Sequence, residues 1–218
     1  MVYTICALRL DFVELQEKFA DAETIVYWDV EDYFPVTGFV TFSERIRSAL
    51  GKAGYHGKVS IRAYHGGGDK KPPEEEEAEG ITFVSRATKR GRMHSMLLDM
   101  QLFATDNTSR APTNLMVITK GLTWDKDEEE TQLANCLTIL NSECYNVLLA
   151  VPDDDYEDEL KKMPFDLKYS AWLWKDLSAG GYPLDRGIIE ACRRLPLMKY
   201  IEEDPCPSCG RESFYEYE

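Results

Sequence analysis

Three stretches of the chain, residues 24–30 (TIVYWDV), 114–119 (NLMVIT) and 145–151 (YNVLLAV), are almost unbroken runs of apolar and β-forming residues. A strand that is apolar on both alternating faces has to be covered on both, which is the condition of a central strand in a parallel sheet layered by helices. The intervening sequence supplies the layers. Phe42, Ile46, Ala49, Leu50 and Ala53 fall on one stripe of a helix, and Gly54 stands where that helix would stop. Met93, Met96, Leu97, Met100 and Ala104 give a second one-sided helix, and Leu133, Cys136, Leu137 and Leu140 a third. Residues 58–64 and 81–84 read as further strands, residues 86–92 as a basic connection, and residues 2–10 and 12–19 as a strand and a short helix. Strand alternating with helix requires crossover connections, so the expected fold is α/β, with a mainly parallel sheet of five or six strands.

Charge narrows the partners. The 218 residues carry 25 Lys and Arg against 39 Asp and Glu, a formal charge of -14, which argues against a generally basic nucleic-acid coat. Three short runs, 74–79, 125–130 and 153–159, hold 16 of those acids, so the rest of the chain is nearly neutral. Residues 65–80, with Gly66-Gly67-Gly68, Pro72-Pro73 and four consecutive glutamates, read as an acidic surface loop. The glycine triplet does not open into a helix, as a phosphate cradle requires. No apolar run approaches the length of a spanning helix and the first residues lack a secretory pattern, so the expected setting is intracellular, with no membrane partner. Six cysteines are too few and too scattered for a disulfide scaffold.

Open parallel sheets place their functional crevice beyond the carboxyl ends of the strands. Asp29, Glu31 and Asp32 follow the first core strand, the 125–130 run follows the strand at 114–119, and Asp99 lies on the helix between them. Carboxylates that converge from separate elements repel one another unless a proton or a divalent cation lies between them, and Mg²⁺ or Mn²⁺ suits such oxygen donors. The plainer reading is that these acids cap helices or face water.

Residues 24–36 (TIVYWDVEDYFPV), 46–64 (IRSALGKAGYHGKVSIRAY), 96–104 (MLLDMQLFA), 145–152 (YNVLLAVP) and 171–174 (AWLW) together resemble the plant NYN domains of the limkain type. The resemblance implies a PIN-like three-layer nuclease fold over residues 23–178, preceded by an extension at 1–22 and followed by one at 179–218. It also implies acids that bind Mg²⁺ or Mn²⁺ and activate water to cleave RNA. On that pattern Asp29 and Glu31 match the strand-end acids, Asp32 stands where the family has Asn, and Asp99 matches the helix acid. Glu130 takes the first acid place of a family turn, its side chain longer by one methylene, and residues 120–128 lengthen that turn. Two further acids are replaced, by Met93 and Gln132. The implied catalytic and metal-binding set is Asp29, Asp99 and Glu130. A weakened metal-dependent RNA endonuclease and a non-catalytic module binding RNA or protein in control of gene expression both remain open. Cytoplasm or nucleus is the expected compartment, and a peroxisomal association enters only through the resemblance.

Arg86, Lys89, Arg90 and Arg92 form a basic cluster beside the presumed site, suited to an RNA backbone or to a plain solvated loop. Cys206 and Cys209 are spaced like one knuckle of a zinc ribbon, with the remaining ligands to come from Cys192, His94, His65, His56 or a second chain in a homodimer; the alternative is two free thiols. Trp172 and Trp174 alternate as in a strand, in core packing rather than as a base-stacking platform.

Overall fold

The computed structural model describes residues 12–67, 80–107, 109, 111–122, 128–141, 145–163 and 170–193, without the side chains of 12–15, 128–131, 190 and 193. Its elements in chain order are α1 (Phe12–Phe19), β1 (Glu23–Asp29), α2 (Phe39–Lys52), β2 (Val59–His65), β3 (Ile81–Ser85), α3 (Lys89–Asp106), β4 (Thr113–Ile118), α4 (Glu128–Asn141), β5 (Tyr145–Val151), α5 (Tyr156–Lys162), β6 (Ala171–Leu173), α6 (Trp174–Ser178) and α7 (Arg186–Arg193). The six strands form one sheet in the order β3-β2-β1-β4-β5-β6, and every neighbouring pair is parallel. This is the expected α/β class, a parallel sheet layered by helices on both faces, an arrangement consistent with a three-layer PIN-like fold. The expected strand at residues 2–10 and most of the 65–80 loop lie outside the described residues, although His65 itself ends β2.

Alternation along the strands divides the core. Val26, Trp28, Val30, Met116, Ile118, Leu148, Ala150 and Trp172 face α2 and α6, where Trp28 packs on Phe42 at 4.6 Å between ring centroids and on Phe39 at 5.5 Å. Ile25, Tyr27, Leu115, Val117, Val147 and Leu149 face α3, α4 and α5. The solid apolar runs are therefore explained by burial on two sides. Gly54 has φ 89°, the left-handed region that glycine enters without steric cost, and α2 ends just before it.

Two boundaries differ from the sequence reading. Residues 89–92, read as a connection, are the first turn of α3: Thr88 caps it, its side chain accepting from the Gly91 amide at 3.1 Å. Trp174 does not continue β6 but begins α6, where its ring meets Tyr33 at 4.8 Å and Phe42 at 5.1 Å. Trp172 is fully buried, which accords with core packing. Phe19 of α1 and Cys192 of α7 are buried in the two core clusters. No helix among the described residues is long and apolar enough to cross a membrane.

The two core faces also hold tyrosines whose ionisation the fold resists. Tyr27, Tyr33 and Tyr64 are buried, and burial pushes each phenol well above its ordinary value, with the hydrogen bond to Asp99 adding to the effect at Tyr64. The folded state keeps these protons while the unfolded chain releases them near pH 10. Their contribution is thus fully present below about pH 10 and is lost as pH rises above it, at about 1.4 kcal/mol per pH unit for each tyrosine. Denaturant melts from about pH 9 to about pH 11.5 should show this decline, reduced by one proton in Tyr27→Phe; an unchanged slope would show that Tyr27 ionises in the folded protein.

Candidate functional site

The strand order reverses between β1 and β4, so their carboxyl ends flank the crevice of the sheet. Beyond β1 the chain turns back on itself. The Tyr33 amide donates to the Asp29 carbonyl at 3.2 Å, and Trp28 Nε1 donates to the Tyr33 carbonyl at 2.8 Å. The Asp29 carboxylate stands inside this turn and accepts from the Glu31 amide at 2.9 Å. Asp29 is 0% exposed.

A buried carboxylate needs a counter-charge and filled lone pairs, and one side chain supplies both. Arg92 reaches from the first turn of α3, and its Nε lies 2.8 Å from Asp29 Oδ1 and 2.9 Å from Oδ2. Arg92 is itself only 5% exposed. Burial pushes the Asp29 carboxyl above the usual carboxylate range and the nearby Asp32 charge adds to this, while Arg92 and the Glu31 amide pull against it. Arg92 Nη1 also approaches the Arg86 carbonyl at 3.5 Å, which ties the β3–α3 connection to the pair.

The other acids have partners of their own. Asp32 Oδ2 accepts from Thr119 Oγ1 and from the Lys120 amide, each at 2.9 Å, and lies 3.3 Å from Lys89 Nζ. It thereby joins the ends of β1 and β4 to the start of α3. Glu31 Oε1 accepts from the Gly66 amide at 2.8 Å. Asp99 lies two turns along α3 from Arg92, about 10 Å further on. It accepts from Tyr64 Oη at 2.6 Å and lies 3.1 Å from Arg62 Nη1. Tyr64 is the register neighbour of Asp29 on β2, so a phenol and two guanidinium groups distribute the charge of the two aspartates.

Asp29 and Asp99 thus face the same side of the sheet in separate networks. Glu130 lies in the first turn of α4 rather than in a loop turn, and its side chain is outside the described residues. Met93 is 3% exposed and packs in the α3–α4 core, while Gln132 lines an outer groove with Leu97 and Ile139. A hard divalent cation requires several oxygens with lone pairs directed at one point. Both oxygens of Asp29 are already engaged, and among the described residues no group of three or more His, Cys, Asp or Glu could hold a metal ion. The described side chains do not fit the Mg²⁺ or Mn²⁺ centre that the resemblance implies.

The basic cluster is divided. Arg92 is buried on Asp29, and Lys89 is engaged with Asp32 and with the Lys120 carbonyl at 3.3 Å. Arg86, bonded to Ser95 Oγ at 2.8 Å and to its neighbour's carbonyl, and Arg90 are the two that stand exposed. Lys120 joins this rim, its Nζ 5.3 Å from the Tyr33 ring centre. Cys206 and Cys209 lie outside the described residues. Of the other proposed zinc ligands, Cys192 and His65 are buried and His56 and His94 exposed.

Sequence reasoning did not single out Arg62, Tyr64, Thr119 or Lys120. Arg62 carried a usable signal, because an arginine on a strand otherwise packed against a helix layer needs an acid opposite, and Asp99 is the acid on the inner part of α3. No family model, curated protein or solved structure matches this chain.

The linkage through Asp32 is testable. Asp32→Ala removes the acceptor of the Thr119 hydroxyl and the Lys120 amide and should cost about 2 kcal/mol in urea unfolding, with an unchanged m-value. Asp32→Asn keeps an acceptor and should cost about half as much. Equal, negligible losses in both would mean that the strand ends do not depend on this carboxylate.

Proposed function

We propose that the chain is a PIN-like module that binds RNA through a basic rim and has given up metal-dependent cleavage, acting in the control of RNA. The observation that carries this reading is the contrast at one edge of the sheet. There, Asp29, Asp32 and Asp99 each already hold a cation of the protein itself, while Arg86, Arg90 and Lys120 face outward. The order and spacing of the NYN-like sequence blocks support the RNA assignment. Guanidinium groups bind phosphate in two-pronged fashion, and such contacts position a nucleic acid without reading its sequence. The basic rim is small and the chain is acidic overall, so affinity should be modest and strongly salt-dependent.

The alternative is a ribonuclease that retains enough of its acids to act. Fluorescence anisotropy with a labelled single-stranded RNA, run alongside a cleavage assay in Mn²⁺, separates the two. The binding module should retain intact RNA, and Arg86→Glu with Arg90→Glu should weaken binding at least tenfold and lower the salt slope by about 1.4, two phosphate contacts' worth. Unchanged affinity and slope would sink the RNA reading. Cleavage that disappears in both Asp29→Asn and Asp99→Asn would instead establish the nuclease.

A further inference from the structure

The disagreement between the carboxylates and a divalent centre has a specific cause. We infer that the Arg92 guanidinium is a resident counter-cation, occupying the electrostatic place at the end of β1 that a metal ion would otherwise take.

Four observations converge on it. Asp29 is completely buried and its charge has to be balanced inside the protein. The balancing group touches both carboxylate oxygens from one atom, at 2.8 and 2.9 Å, so no oxygen is left facing an ion on that side. The next residue, Met93, turns into the core, so the same turn of α3 offers no acid as a further ligand. The neighbouring carboxylate, Asp32, is drawn away by Thr119, Lys120 and Lys89. A guanidinium is permanently charged, planar and weakly hydrated compared with an ammonium, which suits it to a buried carboxylate. The charge that a divalent cation would bring from solution is here fixed by the chain, independently of ionic conditions and of whether RNA binds.

The experiment is a Mn²⁺ titration, read by the EPR signal of free Mn²⁺ and by thermal melting, on the full chain and on Arg92→Ala, Arg92→Lys and Asp29→Asn. The unsubstituted protein should leave the Mn²⁺ signal undiminished and melt at one temperature with or without the ion. Arg92→Ala, with its buried carboxylate uncompensated, should melt roughly 10 °C lower. It should regain roughly 3–5 °C at a Mn²⁺ concentration about tenfold above its Kd, as the ion replaces the lost charge. Arg92→Lys keeps a cation and should remain indifferent to Mn²⁺. If Arg92→Ala does not fold without the ion, refolding it with Mn²⁺ present supplies the same comparison. Mn²⁺ binding by the unsubstituted protein that Asp29→Asn abolishes would overturn the inference, as would an Arg92→Ala protein that neither binds Mn²⁺ nor is stabilised by it.

Discussion

A fully buried carboxylate at the end of the central strand is the constraint around which this edge of the protein is arranged. Asp29 could not remain there as an anion without a partner, and removing either member of such a pair commonly costs 3–5 kcal/mol. The partner, Arg92, comes from an element that begins two strands away in space, so the ion pair does more than neutralise charge. It ties the first turn of α3, which Thr88 caps, to the end of β1 and to the connection from β3 through the Arg86 carbonyl. Asp32 and Lys89 repeat the arrangement one step outward, between the ends of β1 and β4.

The resulting site is ordered from inside to outside by exposure. Innermost is the Asp29–Arg92 pair, then the partly buried Asp32–Lys89 and Asp99–Arg62 pairs, whose screening by water makes each worth less. Outermost are Arg86, Arg90 and Lys120. Catalysis by a divalent ion needs carboxylates left unsatisfied by the protein and therefore ready for the metal. Contact with an anion needs cations exposed to solvent, and among the described residues Arg86, Arg90 and Lys120 are exposed at this end of the sheet.

Much of the architecture was legible in the sequence because burial on two faces leaves a mark that no local rule overrides: residues 24–30, 114–119 and 145–151 could hardly be anything but inner strands. The single-sided stripe of α2 was equally direct, whereas α3 and α4 also carry exposed Leu98, Leu102 and Ile139. Less legible was where α3 starts, since Lys89, Arg90, Gly91 and Arg92 have neither an apolar stripe nor an acidic first turn, and the Thr88 cap is a single hydroxyl. The site was harder still. A basic run reads as surface, and nothing local distinguishes Arg92 from Arg90; what separates them is a carboxylate 63 residues away in sequence. Met93, read as a missing ligand, is explained by packing in the core, and the Tyr64–Asp99 bond depends on strand register that only the folded sheet provides.

The far edge of the sheet has a different character. Asn146 donates to Asn114 Oδ1 and to Tyr55, Tyr55 shares a hydrogen bond with Ser170, and Asn114 reaches back to the Phe19 carbonyl. Gln16, Ser170 and Ile189 line one pocket there, so α1 and α7 meet at the edge opposite the basic rim. Both ends of the described body are therefore gathered at one pole. Among the described residues, salt that screens the ion pairs at the charged pole therefore leaves this neutral amide network untouched.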